Sequence, residues 1–243
     1  YTTPLSYPGY TLVWSDEFEG TALSSDWTYD LGTGDWGWGN NELQYYRQNN
    51  AVVDQGLLVI TAKEEIVNSN NYTSARIKTQ GLKSFQYGRV DVRAKLPKGK
   101  GIWPALWMLG DNISSASWPN CGEIDIMEMI GGGVSNEKTI YGTLHWDDNG
   151  SHASYGGNNS LNSGIFADEF HVFSIIWNSS SIEFLRDDIQ YHIADITPTQ
   201  LSEFHQNFFL IFNVAVGGNW PGNPDGTTDF PQSMYVDYIR VFQ

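Results

Sequence analysis

The chain has 243 residues, with 13 Lys+Arg against 28 Asp+Glu for a formal net charge of −15; 40% of it is hydrophobic and 14% aromatic. Binding a polyanion rests on a basic surface and counterion release, so this balance excludes nucleic acid as a partner and argues against an anionic membrane surface. It is not the composition of a disordered acidic chain either: 10 Trp, 13 Tyr and 12 Phe are ample for a core, with Trp left over to serve a surface and a partner without strong negative charge.

The first ten residues, YTTPLSYPGY, are neither a basic n-region nor an apolar h-region, so a secreted protein would have its signal peptide outside this sequence. No run of 18 apolar residues exists to span a bilayer. Strand patterns recur at 56–65, 87–96, 123–130, 139–146, 170–177, 181–187, 208–216 and 234–242. Gly, Asn, Asp and Ser clusters separate them, which predicts an antiparallel sandwich. Within 87–96, Val90, Val92, Ala94 and Leu96 alternate with Arg89, Asp91, Arg93 and Lys95, predicting one packed face and one solvated face. The stretch 149–164, rich in Asn, Gly and Ser, reads as a long exposed loop. FSIIWNSSSIEFL reads as two strands joined by an Asn-Ser hairpin turn. One helix is expected from Thr197, with Thr197 as N-cap, Pro198 at the first position and Gln200 closing a capping box. No linker, repeat or charge run divides the chain, so a single domain over 1–243 is expected. Cys121 stands alone and reads as a small buried thiol rather than a nucleophile, a disulfide partner or a zinc ligand.

The segment CGEIDIMEMIGGG, residues 121–133, carries the chemistry. Glu123 and Asp125 share a face of a regular strand, whereas Glu128 would point into the core, where a lone carboxylate is costly. A β-bulge at about Ile126 or Met127 resolves this by returning Glu128 to the other two acids. Crowding three carboxylates on one face raises their pKa values, and a structural role rarely requires it. A calcium or magnesium site, or an acidic solvated edge, is the competing reading. The chemical reading is glycoside hydrolysis, in which one carboxylate attacks the anomeric carbon and one carboxylic acid protonates the leaving oxygen.

EIDIME resembles the signature of the family-16 glycoside hydrolases, in its longer, bulged form. WSDEFEG, WGNNELQYY, SARIKTQG, YGRVDVRAKLP, GIWPALWMLG, GTLHW, NVAVGGNWPG and VDYIRVFQ are, in this order, similar to blocks of endo-β-1,3-glucanases of that family. The resemblance implies an all-β, concanavalin-like jelly-roll of two curved antiparallel sheets, with substrate crossing the concave face. It implies Glu123 as nucleophile, Glu128 as acid and then base, and Asp125 as the residue that tunes the nucleophile. His145 matches a position near the acid/base, with a satisfied strand histidine as the alternative. Trp103 and Trp107, four apart on one strand face, and Trp220 match sugar-stacking positions. Asn41 and Arg76 match hydroxyl-binding positions, each with a competing reading as a turn or sheet-edge residue.

Relatives in this family also carry a structural calcium on the convex face. The matching positions here are Glu17, a Gly56 carbonyl and Asp237, all hard oxygen donors; a salt bridge to an Arg such as Arg240, or a solvated edge, is the alternative for Asp237. No cofactor is expected for catalysis. The implied function is a secreted, monomeric, retaining endo-β-1,3-glucanase (laminarinase) acting on a neutral β-glucan. Mixed-linkage β-1,3-1,4-glucan hydrolysis, transglycosylation and non-catalytic glucan binding are the alternatives. Sulfated galactans would call for a basic cleft, which the charge disfavours.

Overall fold

In the computed structural model, which describes residues 1–243, the β-rich segments form seventeen strands. In chain order they are β1 (Leu12–Asp16), β2 (Thr28–Asp30), β3 (Gln44–Tyr46), β4 (Ala51–Asp54), β5 (Leu57–Val67), β6 (Asn70–Ser74), β7 (Arg76–Lys78), β8 (Gly88–Lys95) and β9 (Ile102–Gly110). β10 (Glu123–Glu128), β11 (Thr139–Asp148), β12 (Ser151–Ser160), β13 (His171–Trp177), β14 (Ser181–Arg186), β15 (Ile189–Asp195), β16 (Phe208–Val216) and β17 (Gln232–Phe242) follow. All eight predicted strands are present, with ends shifted by no more than two residues.

The strands pair into two sheets. The larger runs β15-β14-β13-β8-β17-β5-β6-β3, with β1 added on β17 and β4 on β5; the smaller runs β12-β11-β10-β9-β16-β7-β2. Pairing is antiparallel apart from β3 with β6. Between the sheets lies a hydrophobic cluster of 40 residues, which takes Val90, Val92 and Ala94 from the larger sheet and Leu106, Met108, Ile124, Phe212 and Val214 from the smaller. Alternate side chains of these central strands face that cluster, as a two-layer jelly-roll requires. The hairpin at 178–181 forms as expected: Asn178 Oδ1 accepts the backbone N–H groups of Ser180 and Ser181 at 2.7 and 3.0 Å.

Three local expectations are corrected. Residues 151–160 of the expected loop 149–164 are a strand: β12 pairs with β11 from Thr139↔Ser160 to Asp148↔Ser151. As a largely exposed edge strand of small polar residues it needs no apolar alternation, so hydropathy does not mark it. The polar face of β8 is not solvated throughout, because Arg89 and Asp91 are buried beneath the N-terminal segment. There Asp91 accepts from Tyr7 Oη at 2.8 Å, Ser174 Oγ at 2.6 Å and Arg89 Nε at 2.8 Å, so the buried charge is satisfied. The helix after Thr197 is a short 3-10 segment, Thr199–Phe204, preceded by Pro198. Thr197 does not cap it; its Oγ1 and N–H both bind Asp195 Oδ1, at 2.7 and 2.9 Å.

Candidate active site

The three acids lie on β10, in the middle of the smaller sheet between β9 and β11. Asp125 faces Trp107 of β9, but the next pair is Met127 with Leu106, so Ile126 has no partner. Against β11 the pairs step from Asp125↔Thr143 to Glu128↔Tyr141, again with one residue extra on β10. The bulge sends two consecutive side chains, Ile126 and Met127, into the core. Glu128 therefore returns to the face that carries Glu123 and Asp125.

Each acid has its own partners. Glu123 Oε2 accepts the indole N–H of Trp118 at 2.9 Å, and Glu128 Oε1 accepts that of Trp103 at 3.0 Å. Asp125 is 2% exposed, and His145 Nε2 stands 3.1 Å from its Oδ2 and 3.9 Å from Glu123 Oε1. His145 is the cross-strand neighbour of Glu123, so it sits beside the expected nucleophile and its Asp partner, a more specific position than proximity to the acid/base.

Burial and mutual repulsion dominate the electrostatics. Burial first, then Asp125, push the Glu123 pKa up to about 8, opposed by His145 and the Trp118 N–H. Glu128 is pushed up to about 7 by burial and then by Glu123, with His145 and the Trp103 N–H opposing and Glu42 adding to the rise. Asp125 is raised well above the carboxylate range by burial and by Glu128. The three titrate as one unit. Glu123, Asp125 and His145 also place metal-type ligand atoms within 4.8 Å of one another.

The predicted sugar-binding residues flank this trio. Trp103 and Trp107 share the face of β9; Trp103 packs edge-on against Trp220, with ring centroids 5.6 Å apart, and Trp107 donates its N–H to Asn213 Oδ1 at 2.7 Å. Trp220 is 41% exposed and also meets Tyr141, across the sheet from Glu128. Asn41 occupies a left-handed turn and donates to Asn219 Oδ1 at 2.8 Å, which joins its loop to that of Trp220. Arg76 is clamped by Asp30 at 2.9 Å and lies between the rings of Trp38 and Trp107, 4.6 and 4.8 Å from their centroids. Cys121 is buried, and burial followed by the charge of Glu123 pushes its thiol up to about 11, which fits an inert thiol.

Some residues of the site were not singled out from sequence. Trp118 and His152 reach it from a loop and from the edge strand β12. Asn213 left a signal, since it is the one polar residue in FFLIFNVAV and is buried. It donates to Tyr46 Oη at 3.1 Å, and Tyr46 donates in turn to Glu42 at 3.3 Å. Glu42 is held above the ordinary carboxylate range by burial.

On the other sheet, Glu17, Gly56 and Asp237 line one hollow of about 630 Å³. Both carboxylates have guanidinium partners: Arg240 reaches Glu17 at 2.9 and 2.8 Å, and Arg93 reaches Asp237 at 2.6 Å. The anticipated ion pairing is thus present, with Arg93 rather than Arg240 on Asp237.

The chain is similar to known proteins throughout this architecture. The catalytic domain of an endo-1,3-β-glucanase (laminarinase) from Thermotoga petrophila superposes with a TM-score of 0.88 at 46% identity, over 96% of this chain and 98% of that one. The β-glucanase of Rhodothermus marinus is 40% identical over 97% of this chain and 86% of its own length. The clotting factor G alpha subunit of Tachypleus tridentatus is 44% identical over 97% of this chain, which spans only 34% of that longer protein. Residues 35–240, which hold the bulged trio and the residues flanking it, match the profile of the glycosyl hydrolases family 16, and the chain belongs to that family.

Proposed function

We propose that this chain is a retaining endo-β-1,3-glucanase of the laminarinase type, with residues 1–243 acting as one catalytic domain. The observation that carries the reading is the bulge that gathers Glu123, Asp125 and Glu128 on one face with an indole N–H on each glutamate. Glu123 attacks the anomeric carbon while Glu128 gives its proton to the departing glycosidic oxygen, leaving a glycosyl ester on Glu123. Glu128, now a carboxylate, takes a proton from water, which displaces Glu123 and restores the original configuration. Burial raises both glutamates, with Asp125 adding to the rise on Glu123 and Glu123 to that on Glu128; the reaction uses the form in which the proton sits on Glu128 and the charge on Glu123. Trp103, Trp107, Trp220, Asn41 and Arg76 bind the sugar chain, and His145 steadies the Asp125–Glu123 pair. The partner is a neutral β-glucan, the working form is a monomer and the setting is extracellular. The laminarinase likeness of the Thermotoga relative supports the linkage.

A calcium ion held by Glu17, the Gly56 carbonyl and Asp237 fits the hollow between them. The ion pairs there are partly exposed, with Glu17 and Asp237 side chains 35% and 32% accessible. Such pairs contribute about 0–1 kcal/mol each, so little stability is lost when a divalent ion takes the place of the guanidiniums on these carboxylates. When bound, it ties the turn before β5 to β17 and supplies stability, not chemistry.

Incubation with laminarin, lichenan and agarose, with products resolved by chromatography, tests the assignment. Short β-1,3-linked oligosaccharides from laminarin are expected. Absence of new reducing ends from all three would overturn it in favour of a glucan-binding module.

A further inference from the structure

The edge strand β12 brings a second histidine to the site. His152 pairs with Asp147 and lies diagonal to His145, whose own partner is Ser154. The two imidazoles are nearly coplanar, 20° apart, with His145 Nδ1 2.8 Å from His152 Nε2. On its other side His152 packs on Trp118, 4.7 Å between centroids, the same Trp that donates to Glu123.

With Asp125 charged and His145 neutral, proton counting sets the direction of these bonds. Asp125 Oδ2 is buried without a hydrogen-bond partner, and His145 Nε2 is the nitrogen that faces it, 3.1 Å away. A buried oxygen left unpaired is costly, so Nε2 carries the proton and donates it. A neutral imidazole has one N–H, which leaves His145 Nδ1 as an acceptor and makes His152 Nε2 the donor. Burial and the neighbouring His145 lower the pKa of His152, in keeping with a neutral ring.

We propose that His152 is a positioning residue: its Nε2–H donates to His145 Nδ1, holds His145 in the Nε2–H tautomer and so supplies the donor that Asp125 Oδ2 needs beside Glu123. The consequence for turnover rests on the hydrolase reading above; the tautomer itself does not. Two variants separate hydrogen bonding from packing. His152→Gln keeps an N–H near the Nε2 position and loses the ring, whereas His152→Phe keeps a ring on Trp118 and loses the N–H.

Long-range nitrogen–proton NMR of the labelled protein reads the His145 tautomer without substrate, with signals assigned by single His substitutions. The Nε2–H form is expected in wild type and in His152→Gln, and a mixture in His152→Phe. On laminarin, His152→Phe should lose about tenfold in kcat with KM within twofold and an unchanged melting temperature, and His152→Gln should recover most of kcat. An unaltered His145 tautomer in His152→Phe, or a His152→Phe enzyme as fast as wild type while His152→Gln is slow, would overturn the proposal. A wild type inactive on laminarin would sink the glucanase reading and leave the tautomer result to decide this one.

Discussion

Glu123 and Glu128 are alike in burial and differ in what surrounds them. Glu123→Ser removes the attacking oxygen and leaves the cleft, so activity should fall on the order of 10⁴-fold or more with folding and sugar binding retained. Retained turnover measured with a stopped laminarin assay would contradict its role. The rate should fall on the alkaline side from about pH 7, as Glu128 loses the proton it must donate; a rate still level at pH 9 would exclude it as the acid. Stability follows the opposite logic. A carboxyl whose pKa is higher folded than unfolded destabilises the fold as pH rises through the window between the two values, here from the ordinary carboxylate range to about 8 for Glu123. Asp125→Asn removes one of the repelling charges, so it should raise the melting temperature at pH 8, by about 2–4 °C for each kcal/mol of relieved repulsion, and have little effect at pH 4. Calorimetry at the two pH values checks this. The acids were legible because they interrupt an apolar strand. Trp118 and His152 were not, because what gives them meaning is contact with β10 across a loop and an edge strand.

The bulge in β10 was readable for the same reason that it exists. Period two sends Glu128 into the core, and one unpaired residue is the smallest change that brings it back. Deleting Ile126 leaves the order Glu, Ile, Asp, Met, Glu, in which a regular strand already puts all three acids on one face. This variant should fold and keep measurable activity. Deleting both Ile126 and Met127 leaves Glu, Ile, Asp, Glu, in which a regular strand turns Glu128 toward the core, and should abolish activity and lower stability; laminarin assays and thermal melts distinguish the pair. An active double-deletion variant would mean that strand register does not set the facing of Glu128. β12 marks the limit of such reasoning. Its Ser, Gly and Asn residues have loop propensities, and only the hydrogen-bonding edge of β11 makes them a strand. The polar face of β8 failed for a related reason, since the chain's own N-terminal segment covers what alternation alone assigns to water.

Over the whole molecule, part of the charge of −15 and four of the ten Trp now have addresses. Three acids gather at the hydrolytic face, and Trp103, Trp107, Trp118 and Trp220 stand around them. Three further acids, Glu17, Glu19 and Asp237, line the hollow proposed for calcium on the other sheet. Chelation should therefore lower the melting temperature by several degrees, and an unchanged melt with no bound metal by elemental analysis would remove the ion from the account. Eight of the strands and the sandwich followed from the sequence pattern; a guanidinium partner for Asp237 was also legible, but which Arg serves which acid was not, because Glu17 and Arg240 are 223 residues apart in sequence. The central claim is that Glu123 is the atom-bearing nucleophile of a retaining glucan hydrolase. Incubation with a 2-deoxy-2-fluoro β-laminaribiosyl fluoride, which forms the glycosyl ester quickly and releases it slowly, followed by peptide mass spectrometry, tests this directly. One fluorosugar on the peptide carrying Glu123, localised to that residue, is the predicted result; a label on Glu128, or none on an enzyme that turns over laminarin, would contradict it.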